Sequence, residues 1–163
     1  MNRCVYMVAT TAVVVVLPLV ALPMTMLTGS ASAGPPATAL VGAEIKSVYL
    51  TGFRPDGTPV DFTLKFSAVG GTTASLTGTG RHTGSGGLMA DWSVTGGFTS
   101  GDLVTLFAVI TRANNPVYLG SLGTVVGNAS TGAITFHLGP LAGGRFAGQT
   151  ILGEGFGNVK VRQ

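Results

Sequence analysis

Turn-forming clusters recur at near-even intervals between residues 54 and 144, and this spacing limits the fold more than any other feature. They are Arg54-Pro55-Asp56-Gly57-Thr58-Pro59, Gly70-Gly71, the run from Thr83 to Gly87, and Thr99-Ser100-Gly101-Asp102. Ala113-Asn114-Asn115-Pro116, the run from Gly127 to Gly132, and the run from Gly139-Pro140 to Gly144 follow. Glycine supplies positive φ, proline fixes φ, and Asn and Asp tolerate left-handed backbone, so each cluster can reverse the chain. The segments between them are short and of similar length, the pattern of a sandwich or a barrel. No connection is long enough for the crossover helix that parallel pairing requires. The prediction is an all-β, antiparallel, eight-stranded up-and-down β-barrel, with a β-sandwich as the alternative.

Side-chain alternation fits half-buried strands with one wet face. Val60, Phe62, Leu64, Phe66 and Ala68 alternate with Asp61, Thr63, Lys65 and Ser67. Leu88, Ala90, Trp92, Val94 and Phe98 fall opposite Met89, Asp91, Ser93 and Thr95. Matching inner face to inner face pairs Phe53 with Val60 and Tyr49 with Leu64. A three-residue loop or a glycine bulge at Gly70-Gly71 then sets Phe66 opposite Leu76 and Phe62 across from Gly80, with Phe136 later across from Gly148. A large ring over a glycine fills a tightly curved sheet.

The first residues read differently. A short basic start, Met1-Asn2-Arg3, leads into an apolar run from Cys4 to about Leu27, and Ala31-Ser32-Ala33 supplies a small-x-small cleavage site. Residues 1–33 are read as a secretory signal peptide cleaved near Ala33, residues 34–42 as a flexible lead-in, and residues 43–163 as one barrel domain. The implied location is extracellular, with no transmembrane segment in the mature chain. Cys4 is the only cysteine and leaves with the leader, so no disulfide supports the mature fold. Nine Lys and Arg against six Asp and Glu is too weak a balance for a general nucleic-acid binder.

The fifth and sixth segments are apolar on both faces. Leu103, Phe107, Val109, Leu122 and Val126 are assigned inward, which leaves Val104, Leu106, Ile110 and Leu119 outward. A strand apolar on both sides is usually covered on both sides. These outward residues are therefore read as a subunit interface, in a homo-oligomer formed through strands five and six.

Arg54, Arg81, Arg112 and Arg145 flank alternate turns, which in a meander share one end. They suggest an anion-binding rim, because a guanidinium fork suits carboxylate, phosphate or sulfate. Trp92 is best read as core, and as a ligand contact if the interior is open. Tyr49 and Phe107 are also read as core. His82 and His137 fall on opposite faces, which argues against a shared metal. Strict parity points Glu154 inward with Leu152 and Phe156, although a glycine bulge would turn it out, and the outward reading is preferred. Glu154 and Tyr49 are the candidate catalytic acids, should there be catalysis.

No Gly-x-Ser-x-Gly elbow is present, and Gly153, Gly155 and Gly157 do not open a helix as a dinucleotide fingerprint would. No cofactor is implied. Lipocalins and avidins share the predicted architecture, but no Gly-x-Trp motif stands on the first strand, so the similarity is one of fold alone. The expected function is non-enzymatic binding of a small apolar or amphipathic ligand inside the barrel. The alternatives are a barrel isomerase or cyclase acting on an apolar substrate, a structural or adhesive surface protein, and an outer-membrane barrel. The last lacks visible aromatic girdles.

Overall fold

A computed structural model describes residues 41–163 of the 163-residue chain. The proposed leader and most of the lead-in lie outside the described residues. Eight strands follow in order: β1 (Val41–Phe53), β2 (Pro59–Gly70), β3 (Thr77–Gly84), β4 (Met89–Ser100), β5 (Leu103–Ala113), β6 (Leu122–Asn128), β7 (Ala133–Leu138) and β8 (Ile151–Arg162). Each pairs antiparallel with the next, and β8 pairs with β1 to close the barrel. Closure removes both sheet edges and sets the sandwich alternative aside. No helix among the described residues is long and apolar enough to cross a membrane. The first strand begins at Val41, two residues before the expected domain start.

The interior is packed with aromatic and aliphatic side chains. Phe66, Trp92, Leu50, Leu64, Leu106, Ile45 and Ile134 are fully buried. Trp92 sits 6.1 Å from Phe66 and 5.8 Å from Phe136, centroid to centroid, in tilted and edge-on arrangements that aromatic quadrupoles favour. Rings do lie over glycines, with different partners from those expected. Phe66 lies over Gly80, and Phe62 lies over Gly52 and Gly153, although the ladder partner of Phe62 is Gly84 and that of Phe136 is Gly153. A Cβ on Gly123 would stand 2.7 Å from the Trp92 ring, so the indole occupies space that any other residue would fill.

Two bulges account for most of the departures from strict alternation. In β1 the pairing with β2 runs to Lys46↔Lys65 and resumes at Leu50↔Phe62, one residue longer on β1. The bulge reverses parity: Ser47 and Leu50 face inward, while Val48, Tyr49 and Phe53 face out. Tyr49 is thus not core, and Phe53 pairs with Pro59 rather than Val60. Ser47 is buried because its hydroxyl accepts the Leu64 N–H at 2.7 Å, replacing a ladder bond that the bulge removes. In β4 the register shifts between Val94 and Gly96, which sends Phe98 outward although Trp92 and Val94 point in.

The assignment of faces in β5 is reversed. Val104, Leu106, Ala108 and Ile110 are buried inside the barrel, and Leu103 and Phe107 are exposed. With both faces apolar, composition cannot choose between them. Val104, Leu106 and Ile110 therefore form core, not an interface. Leu119 lies in the β5–β6 connection, exposed, and belongs to neither face of β5.

The two ends differ. At one, residues 71–76 form a longer loop than expected: Leu76 is fully buried and donates its N–H to Gly97 O, while Thr99 N–H reaches Thr73 O at 2.7 Å. Leu76 closes that end. The other end gathers the β1–β2, β3–β4, β5–β6 and β7–β8 connections. The last spans residues 139–150 and folds on itself, with Leu141 and Gln149 paired and Ala142 N–H held by the buried Ser121 hydroxyl at 2.8 Å.

Candidate functional site

The end with the longer connections opens into a chamber of about 260 Å³. Small-molecule sites usually occupy roughly 300–1,000 Å³, so this one suits a compact ligand. Val60 and Phe62 of β2, Phe136 and Leu138 of β7, and Ile151 of β8 form apolar walls. Leu88, Asn115 and Tyr118 come from the connections, and Arg54 stands at the rim. The inward parity of β2 and β7 places the two phenylalanines side by side, 5.2 Å apart.

His82 of β3 is the buried polar group that lines this chamber, at 4% exposure. It faces in because β3 alternates Gly78, Gly80, His82 and Gly84 on its inner side. Its Nδ1 accepts the indole N–H of Trp92 at 3.1 Å. An indole can only donate, so Nδ1 carries no proton, and the neutral ring must carry its hydrogen on Nε2. Burial pushes the imidazole down to about 4, which keeps the ring neutral near pH 7. Phe62 and Phe136 flank it, each 6.3 Å away.

The four arginines share this end but do not form a ring. Arg54, half-buried, lines the mouth. Arg145 pairs with Asp56 of the first turn and lies 4.4 Å over the Phe146 ring, so it ties the last connection to the first. Thr58, through its hydroxyl and its N–H, holds the Asp56 carboxyl below the usual range, with Arg145 and Arg54 adding to the effect. Arg81 and Arg112 stand on the outer wall on either side of Asp91. The Arg81 Nε donates to Asp91 at 2.6 Å, directly across β3 and β4 rather than diagonally. That hydrogen bond raises Arg81 and lowers Asp91. Two of the four guanidinium groups are thus occupied by carboxylates.

Trp92 is core, as expected, but lies beneath the chamber rather than in its lining, where it orients His82. Tyr49 is 56% exposed and donates its hydroxyl to Asp61 at 2.8 Å. Glu154 faces out with Leu152 and Phe156, and no register shift separates β8 from β7 there. Neither candidate acid reaches the interior. Glu154 instead lines a trough of about 480 Å³ on the outer wall, with His137, Phe53, Leu152 and Val126. The trough is larger than the chamber, but its carboxylate and imidazole are exposed on a convex wall, where water screens both. In the chamber the imidazole of His82 is buried, so a polar contact there is less screened by water.

His82 and His137 do lie on opposite faces of the barrel wall. Among the described residues no group of three His, Cys, Asp or Glu is placed to hold a metal ion. The inward parity of His82 is readable from the sequence, but its contact with Trp92 is not, because no spacing signals that the indole reaches Nδ1. Comparison with known proteins finds no matching family, no matching curated protein and no matching solved structure.

Proposed function

We propose that this barrel binds a compact, mainly apolar molecule in the mouth chamber and performs no chemistry on it. The observation that carries the reading is a mainly apolar chamber above a packed floor, lined by one buried polar ring. Burying apolar ligand surface there contributes about 25 cal/mol per Å² before the costs of association. Arg54 can meet a polar or acidic group at the ligand's outer end. Secretion fits a binding protein of this kind, and the location follows from the leader reading alone. Catalysis by Glu154 or Tyr49 is disfavoured by their outward placement. The packed apolar interior differs from the polar lumen of an outer-membrane barrel.

Cyclohexanone binding, followed by Trp92 fluorescence, tests the reading, since Trp92 is the only tryptophan. Leu88→Phe should narrow the chamber and weaken binding severalfold, while Leu152→Ala on the outer wall should leave it unchanged. Equal effects would refute the chamber as the site.

A second reading concerns association. Leu103, Phe107 and Leu122 are exposed on β5 and β6, and Phe98 lies 6.3 Å from Phe107. No charged residue interrupts Leu103–Thr111 or Leu122–Asn128. We propose a second copy of the chain as the partner for this wall, meeting it face to face because a closed barrel offers no free edge.

A further inference from the structure

We infer that the ligand carries a neutral oxygen acceptor, a ketone or aldehyde carbonyl, at the end that enters first, and that His82 Nε2–H donates to it. This rests on the chamber being the binding site and specifies what the chamber selects.

Trp92 fixes the tautomer by claiming Nδ1, so the remaining ring nitrogen is a donor. Among the described residues no group accepts from Nε2, and the sealed, unpartnered side-chain atom is Thr99 Oγ1, not a His82 nitrogen. The residual exposure of His82 is therefore toward the chamber that it lines. A donor this deep, facing apolar walls, stays unsatisfied unless a ligand or water supplies an acceptor, and an unmet buried donor is costly. A hydrocarbon of the same shape would displace water and leave the donor bare. A carbonyl restores the bond.

Charge selects between acceptors. Phe62 and Phe136 flank His82, with Arg54 out at the rim. A carboxylate at the inner end would lose its hydration against a neutral ring, with no cation beside it. A carbonyl oxygen loses far less and accepts one strong bond. An anionic group is better placed outward, beside Arg54. A buried donor discriminates against analogues that lack the matching group more sharply than an apolar pocket discriminates by size.

The test compares three ligands of similar shape: cyclohexanone, methylenecyclohexane and cyclohexanecarboxylate. Methylenecyclohexane replaces the carbonyl oxygen with a CH₂ and changes little else. Wild type should bind the ketone about three- to tenfold more tightly than the alkene, the worth of one net hydrogen bond, and the carboxylate more weakly than the ketone. His82→Phe should bind ketone and alkene equally. His82→Gln can accept from Trp92 and still donate, and should keep the preference. In the wild type, nitrogen-15 spectra should show His82 protonated at Nε2, with that proton shifting downfield as ketone binds, a readout that does not depend on any variant folding. If ketone and alkene both bind wild type with equal affinity, this inference is wrong and the chamber reading survives. If neither binds, the chamber reading itself fails.

Discussion

Trp92 donates its indole N–H to Nδ1 of His82 at 3.1 Å, which joins the packed floor of the barrel to the lining of its mouth. The bond does two things. It satisfies a buried indole donor, and it turns a titratable ring into a neutral donor of fixed orientation. The flanking phenylalanines exclude water from the ring, and this exclusion lowers its proton affinity.

His82 should make stability depend on pH. Folding lowers its pKa from 6.5 to about 4, so the unfolded chain takes up the proton first. The stability gained from the neutral ring is complete above about pH 6.5 and is lost as pH falls through about 4. The full difference is about 3 kcal/mol. Arg54 and Tyr118 are the other ionisable groups lining the chamber, and no carboxylate lines it. Urea midpoints should fall more steeply between pH 6.5 and pH 4.5 for wild type than for His82→Gln. Parallel slopes would show that His82 is not protected from protons.

The bulge in β1 depends on one hydroxyl. Ser47→Ala leaves the buried Leu64 N–H without its acceptor and should cost about 1–3 kcal/mol by chemical denaturation. A neutral result would mean that water reaches that amide.

The faces of β5 can be separated by two neighbouring substitutions. Leu106→Ala removes a fully buried side chain and should cost about 2–5 kcal/mol. Phe107→Ala, on the outer wall at 43% exposure, should cost much less. If the second copy binds there, Phe107→Asp should convert an oligomer to a monomer in sedimentation without unfolding it. A monomeric wild type would remove the association proposal and leave the face assignment untouched.

Gly123 holds space for an indole. Gly123→Ala places a methyl 2.7 Å from the Trp92 ring and should cost about 1–3 kcal/mol through overpacking. A change in the near-ultraviolet circular dichroism of Trp92 should accompany it.

Strand number, antiparallel order and the inward run Phe62, Leu64, Phe66 and Ala68 were legible because β2 keeps strict alternation between clear turns. Tyr49, Phe53 and Phe98 were misplaced because a bulge leaves no distinctive residue type; Ser47 is an ordinary serine until the Leu64 amide is seen beside it. Val104, Leu106 and Ile110 were misread because β5 is apolar on both sides, so alternation carried no information there. The four arginines do share an end, as the turn pattern implied. Their pairing with Asp56 and Asp91 could not be read from spacing, since Arg145 and Asp56 meet only when the last connection folds back to the first turn. The chamber's main polar feature was visible as parity, but its meaning needed Trp92 beneath it.

The central claim is that the mouth chamber is the binding site, and methyl resonances test it most directly. Cyclohexanone should shift the methyl signals of Leu88, Leu138 and Ile151, which line the chamber, and leave those of Leu103, Leu122 and Leu152 on the outer wall in place. Shifts confined to the outer-wall methyls, or no shifts at all, would contradict it.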